Sequence, residues 1–584
     1  MCGICFICGL SVSPHELEEK ILPSYSFLSH RGPDACGREI LSINDEVTGL
    51  FEGCVLWLQG HEPTPQPLVD QYGNILLWNG DIFAGFEIPG DLSDTKYISD
   101  YLATKNEEEI SSFLGTIKGP WSLIYYQKET KKLFFGRDVF GRHSLVWKLP
   151  SATSSVFQIT SVCQQNEYVK EIPAFGLYFV DFSETNLKKG FTVNLIPWSH
   201  VAEESLLSLD SVINVKKHTI VSSVQTSLNM CIPSDIVIEQ FKSLPSSLDK
   251  ENTERLYLAL TDNIENLIKV LTTSVRRRVE KSPPKCRSCT NSPITCNHSR
   301  IAVLFSGGLD SAMLALLLDS CLSESESIDL LNVAFLQKPL NNKVNKKNKK
   351  NEDNLLKNYE VPDRISGRQC WLQLQELRPS RKWNFVEINV TGEELAQKRE
   401  SDIRHLVAPL ASVLDDSIGC ALWFGGRGHG FLRGAPYTSP ARVLLCGMGA
   451  DEQLGGYSRH RGCFAAGGWS ALLEEISMEI SRIHTRNLGR DNRILTDHGR
   501  APRFPYLDED VVSLLNSLPV WIKANLYLPR GIGEKFLLRV TAAHLGLTVA
   551  AWLPKRAIQF GSRIAKLENS KEKGSDSCKR LVQR

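Results

Sequence analysis

The hydrophobic pattern changes character three times along the chain. Up to about residue 190, short apolar stretches such as Ile75–Trp78, Trp121–Tyr126, Leu133–Phe135 and Gly176–Asp181 are separated by Gly, Pro, Asn and Asp turns. That punctuation predicts a β-rich domain. Residues from about 191 to 250 are serine-rich and hold no period, as an extended connector would. From Glu251, Leu256, Leu260, Ile264, Leu267, Ile268 and Leu271 recur three and four residues apart. They predict a lead-in helix with one apolar face, running into Arg276–Arg278 and Lys281 and stopped by Pro283 and Pro284. Ile301–Phe305 is a continuous apolar run, as a strand covered on both faces of a parallel sheet requires, and a Gly turn leads from it into the helix Ala312–Leu318. Leu330–Leu336 and Arg442–Cys446 read as further buried strands. The fold class expected is thus α/β with two main domains, at 1–190 and 285–565, joined by 191–284 and followed by a polar tail at 566–584. Asn341–Asn354 is a charged insertion almost free of apolar residues, which predicts a solvated loop.

Composition narrows the function classes. At 584 residues the chain is too long for one compact domain, and 42% apolar with 23% charged residues suits a soluble protein with real cores. Lys+Arg (67) against Asp+Glu (66) leaves a net charge of +1, so no global field would collect nucleic acid or anionic lipid. No apolar run approaches the ~18–20 residues that span a bilayer. The apolar start Met1–Val12 lacks a basic leader and meets His15, Glu16 and Glu18, so no signal peptide is expected. Sixteen cysteines scattered over so long a chain imply free thiols and a reducing, cytoplasmic setting.

Candidate chemistry begins at Cys2. Methionine is readily removed before a small residue, which would leave one residue bearing both a thiol and an α-amine. An amine of pKa about 7.7–8.0 can take the thiol proton near neutral pH, so nucleophile and base coincide. Cys5 and Cys8 read as small apolar strand residues. In order after Cys2 come His30-Arg31-Gly32-Pro33-Asp34, Trp78-Asn79-Gly80-Asp81-Ile82-Phe83, Ser93-Asp94 and Gly136-Arg137-Asp138 with Gly141. This set resembles the class II, N-terminal-nucleophile glutamine amidotransferase domain, an αββα fold that hydrolyses glutamine through a thioester and releases ammonia. The resemblance implies that Asn79 and the Gly80 N–H form the oxyanion hole. It also implies that Asp94 holds the glutamine α-amine, with Asp81 beside it in the glutamine site. The family's carboxylate-clamping arginine corresponds here to Val55, before Gln66-Pro67-Leu68. Losing such a contact costs about 1.5–3 kcal/mol.

A second group of motifs follows the buried strand at 301–305. In Ser306-Gly307-Gly308-Leu309-Asp310-Ser311, glycines let backbone N–H groups approach an anion at a helix N-terminus. The hexapeptide resembles the pyrophosphate loop of N-type ATP pyrophosphatases. Leu444–Tyr457, Arg503-Phe504-Pro505-Tyr506-Leu507-Asp508, Gly533-Glu534-Lys535 and Leu553-Pro554-Lys555-Arg556 resemble, in order, asparagine synthetase segments. That family implies ATP and Mg²⁺. Asp310 and Asp451 would be metal ligands, Lys535 and Lys555 would neutralise phosphate, and Lys555 would act in the transition state. Leu304 and Phe335 would border adenosine, Gly447 its ribose and α-phosphate, and Cys446 would belong to the same ATP-binding set. Where the family carries a glutamate between two glycines this chain has Met448, and Cys446 replaces a serine. A thioether cannot take a proton, so the second half-reaction is expected to be slowed, altered in substrate or absent.

The resemblance implies glutamine-dependent asparagine synthesis from aspartate, glutamine and ATP. An AMP-forming ligase acting on another carboxylate, and a non-catalytic scaffold, stay open beside it. The expected partners are these small molecules, with no nucleic acid and no membrane; the oligomeric state is open. Cys286, Cys289, Cys296 and His298 have zinc-type side chains, but Cys296-x-His298 is shorter than the usual finger spacing. A thiol-bearing loop is the plainer expectation there, with zinc as the alternative.

Overall fold

A computed structural model describes residues 2–10, 12–89, 92–151, 154–164, 169–183, 190–225, 227–245, 247, 249–283, 285–289, 296–337 and 358–567. The charged insertion 341–354 and nearly all of the polar tail lie outside these residues. The β-rich part consists of β1 (Gly3–Leu10), β2 (Ala35–Ser42), β3 (Val47–Val55), β4 (Leu68–Val69), β5 (Ile75–Gly80), β6 (Trp121–Gln127) and β7 (Lys132–Arg137). It continues with β8 (Val146–Lys148), β9 (Val156–Thr160), β10 (Lys170–Glu171), β11 (Gly176–Asp181), β12 (Val193–Pro197) and β13 (Ile213–Val215). They form two sheets, ordered β10-β8-β9-β1-β3-β2 and β13-β12-β11-β7-β6-β5-β4.

Strand alternation explains the layering. On β1, Cys2, Ile4, Phe6 and Cys8 pack between the sheets with Ile75 and Leu77 of β5. Cys5 and Ile7 point the other way, onto Leu17, Ile21 and Leu28 of the helix Pro14–Arg31. On β5, Leu76 and Trp78 face Ile98, Leu102, Ile110 and Phe113 of the helices Asp94–Leu102 and Glu107–Thr116. A period of two buries both faces of each central strand, giving the layer order helix, sheet, sheet, helix.

The connector expectation needs correction. β12 pairs antiparallel with β11, placing Leu177 opposite Ile196, and β13 adds in parallel to β12. Val193, Leu195 and Ile196 are buried, so the second sheet continues well past residue 190. Three- and five-residue strands are too short to register as a period. The helix expected from Glu251 spans Lys250–Glu280 and breaks briefly at Leu260 (φ −125°).

The second part is built on β14 (Ile301–Leu304), β15 (Ile328–Phe335), β16 (Trp383–Val390), β17 (His429–Leu432), β18 (Ala435–Thr438), β19 (Val443–Leu445) and β20 (Ala501–Arg503). They lie in the order β18-β17-β16-β15-β14-β19-β20. The five strands from β16 to β20 across β14 run parallel, and β17 and β18 form an antiparallel edge. No helix among the described residues is long and apolar enough to cross a membrane.

The two parts meet across a polar interface of buried arginines. Arg142 donates to Asp138 Oδ1 at 2.9 Å, to the Leu507 carbonyl at 2.8 Å, and to Glu509 of the other part. Arg31 donates to Thr496 Oγ1 (2.6 Å) and Asn492 Oδ1 (3.0 Å), while Arg442 pairs with Asp34 at 3.0 Å. Removing one member of such a set leaves uncompensated buried charge. Arg142→Ala is therefore expected to lose about 3–5 kcal/mol of stability, read as a lowered denaturation midpoint in urea. An unchanged midpoint would mean that the interface does not depend on this guanidinium.

Candidate active sites

Cys2 stands at the head of β1, in a pocket walled by Val55, Trp57, Gln66, Gly80, Asp81 and Asp94. Its backbone nitrogen, the atom that methionine removal would expose as the α-amine, donates to Asn79 Oδ1 at 2.9 Å. Arg31 donates from Nε to the Cys2 carbonyl at 3.3 Å. Burial pushes the Cys2 thiol up from its usual value. A base next to the sulfur is therefore needed to make the thiolate. Asn79 and Gly80 end β5; Gly80 lines the pocket, whereas Asn79 reaches Cys2 from behind, its Nδ2 3.4 Å from Ser122 Oγ.

Asp94 is the first residue of its helix and receives Trp78 Nε1 at 3.2 Å and the Thr95 N–H at 2.8 Å. Burial, and secondarily the charge of Asp81, push it up to about 7. Asp81 is held low despite its burial because Arg503 of the other part pairs with it at 2.9 Å. Gln59 also donates to Asp81 at 2.9 Å. One wall of the Cys2 pocket is thus tied directly to the end of β20.

The second site lies where β14 runs into the helix Leu309–Asp319. Gly307 has φ +75°, and a Cβ there would sit 2.5 Å from Gly367, so only glycine fits the turn. Ser306 Oγ accepts the Gly308 N–H at 3.2 Å, shaping the loop ahead of the helix N-terminus. Lys535 brings its ammonium to both oxygens of Asp310 (2.8 and 2.7 Å) and to Asp451 Oδ1 at 2.7 Å. Lys555 pairs with the other Asp451 oxygen. A Cβ on Gly456 would fall 2.1 Å from Asp451 Oδ1 and 2.4 Å from Lys535, so this glycine makes room for the pair.

Burial works against the charge of Asp451, but Lys535 and Lys555 outweigh it and hold the carboxylate well below its usual range. Lys555 is held above its usual value against burial, chiefly by Asp451.

Leu304, Ser306, Gly308, Asp310, Ser311, Gly447, Asp451, Lys535 and Lys555 line one cleft. Three expected residues stand behind it. Gly307 backs onto Gly367. Phe335 is fully buried, edge-on to Phe424, and Cys446 is fully buried with its thiol on the Leu444 carbonyl. Leu331 and Val333, on the same face of β15 as Phe335, line the cleft instead. Met448 lines the same cleft, while Glu452 is occupied by Tyr457 and by Asn487 Nδ2 at 3.0 Å.

Asp363, Ser366, Arg490, Asp491 and Gln559 also line this cleft and escaped sequence reasoning, because they sit outside any glycine-rich or acidic motif. Asp363 is pushed up to about 7 by burial. Its one sequence signal is Pro362 beside it, at the start of the helix Pro362–Leu377.

Residues 1–185 match the glutamine amidotransferase domain family. Asparagine synthetase domain-containing protein 1 of Bos taurus is 43% identical, covering 100% of this chain and 98% of that protein. The Homo sapiens protein of the same name is 42% identical over 100% and 98%, and that of Gallus gallus 40% over 100% of both. This chain belongs to the asparagine synthetase domain-containing protein family. Its glutamine amidotransferase domain is the two-sheet part that carries Cys2. Within that domain, Val55 is buried in the pocket wall and brings no charge to it. Among the cleft-lining acids of the asparagine synthetase-like part, Asp491 is bound by Arg490 at 2.7 Å, so it is a neutralised carboxylate rather than a free one.

Proposed function

We propose that the chain is a glutamine-dependent amide ligase that forms asparagine from aspartate at the expense of ATP. The observation that carries this reading is the convergence of Lys535 and Lys555 on Asp310 and Asp451 beside the Ser306–Ser311 loop. A scaffold has no need to bring two lysines and two carboxylates together beside a helix N-terminus, with Lys535 and Asp451 buried.

In the amidotransferase domain, the Cys2 thiolate would attack the glutamine carboxamide carbon, and ammonia would leave as the thioester forms. Water then releases glutamate. In the other part, an oxygen of the aspartate β-carboxylate would attack the ATP α-phosphorus and expel pyrophosphate. Ammonia attacks the resulting acyl carbon and AMP leaves. Lys555 would offset charge as it builds on the phosphoryl oxygens. The carboxylates of Asp310 and Asp451, which Lys535 and Lys555 now pair, suit Mg²⁺, a hard ion taking oxygen donors. Magnesium bound there would neutralise pyrophosphate charge.

Ammonia must pass between the sites. The helix Gly489–Thr496 supports such a route: Arg490 and Asp491 line the cleft, and the next residue, Asn492, accepts from Arg31 and from the Ser144 N–H (3.1 Å). Near Asn492 Oδ1, His143 Nε2 and Asn492 Nδ2 are buried and have no hydrogen-bond partner among the described residues.

Glutamine capture carries a pH signature. Only an ionised Asp94 can hold the substrate ammonium, and its value near 7 means the charge is present above that pH and lost below it. The glutaminase kcat/KM is expected to rise through about pH 7 and level off above it, with Asp94→Asn flattening the rise. A flat profile in the unaltered protein would remove Asp94 from this role.

Met448 favours one second reading, the same activation chemistry on another carboxylate, since a thioether in the acceptor region cannot accept a proton. Pyrophosphate release from ATP, measured over a panel of carboxylates, separates the two. Release that depends on aspartate supports the first reading, and release that depends only on another acid supports the second.

A further inference from the structure

We propose that Cys286, Cys289, Cys296 and His298 form a tetrahedral Zn²⁺ site that pins the loop between the helix Lys250–Glu280 and β14, close to where the two parts of the molecule touch. The four ligand atoms, three sulfurs and a ring nitrogen, all lie within 4.8 Å of one another. His298 Nδ1 is 3.5 Å from Cys286 Sγ and 3.4 Å from Cys289 Sγ. A tetrahedral ion with Zn–S of about 2.3 Å and Zn–N of about 2.0–2.1 Å sets S···N separations of about 3.6 Å and S···S separations of about 3.8 Å. The distances from Nδ1 to Cys286 and Cys289 already match, and closing a pair at the 4.8 Å limit takes about 1 Å.

Thiol–imidazole hydrogen bonding does not explain this cluster. Nδ1 carries either one proton or one lone pair, so it can serve one sulfur well but not two. Each of the three cysteines is a free thiol. The Cys286 N–H also points at Cys296 Sγ, 3.4 Å away, and such a donor stabilises a thiolate and orients it. The short Cys296-x-His298 step works because the ring is used through Nδ1, the nitrogen nearer the backbone. The spacing that argued against a finger-like site therefore fits a compact knuckle.

Placement gives the site a purpose. The loop leaves the helix Lys250–Glu280 and enters β14, the strand that leads to the Ser306–Ser311 turn. The Arg287 N–H donates to the Pro440 carbonyl at 2.9 Å, and the Arg287 guanidinium to the His498 carbonyl. Arg442 donates to the Lys285 carbonyl at 3.3 Å and to Asp34 of the amidotransferase domain at 3.0 Å. Zinc would hold the segment on which this bridge rests. No catalytic step runs through it.

The test is metal content of the full chain purified without chelator from zinc-supplemented cells. One zinc per chain is expected, falling at least fivefold in Cys289→Ser and in Cys296→Ser, while Cys231→Ser, which alters an exposed cysteine elsewhere, keeps it. If the site variants misfold, the unaltered chain still decides. Exchange of its metal for Co²⁺ should give the intense visible bands of a tetrahedral ion and thiolate-to-cobalt charge transfer. Zinc far below one per chain with no such bands would overturn the proposal. So would a disulfide among the three cysteines, mapped by mass spectrometry in protein kept reduced during purification.

Discussion

Replacing Lys555 by methionine is expected to lower ATP-dependent amide formation by roughly 10²–10³-fold, the scale of losing one preorganised charge at the reacting centre. Methionine keeps much of the volume and removes the ammonium that pairs with Asp451. Asp451 retains Lys535, so the fold of the cleft should survive. The loop Ser306–Ser311 still offers its backbone and helix N-terminus, so ATP affinity should fall far less than the rate. Nucleotide binding by calorimetry beside single-turnover AMP formation separates the two. An equal loss in both would make Lys555 a binding residue only.

Cys2→Ala carries the other large effect. Glutamine-driven product should drop by roughly 10³-fold or more, as when a covalent nucleophile is removed. Synthesis driven by added ammonium should continue at the rate of the unaltered chain, since Cys2 lies in a pocket separate from the cleft beside the Ser306–Ser311 loop. That split, measured in one assay with two nitrogen sources, distinguishes a coupled pair of sites from a single one. If glutamine-driven product survived, the nucleophile would have to be elsewhere.

Much of the arrangement was legible in the chain before any coordinates. Long apolar runs such as Ile301–Phe305, and the three- and four-residue spacing after Leu256, announced their elements because burial dictates the pattern directly. The ordered motifs placed Asp310, Asp451, Lys535 and Lys555, which come from distant segments and meet in one cleft. The short strands β12 and β13 were hidden, since three to five residues between serines show no period. Phe335 was expected at the ligand, but it ends β15 fully buried and packed edge-on against Phe424. Arg490 and Asp491 were invisible because a lone charged pair on a helix reads as surface until packing buries it. The tie between Asp81 and Arg503 joins residues more than four hundred positions apart, a tertiary fact with no local signature.

The most direct test of the proposed activity is asparagine formation, followed by mass spectrometry, from purified chain with Mg-ATP, aspartate and ammonium salt. Ammonium bypasses the Cys2 pocket, whose wall carries the uncharged Val55, and so isolates the cleft that holds Met448. Asparagine with matching AMP and pyrophosphate is the predicted result. No asparagine, from protein that is folded and binds ATP, would contradict it.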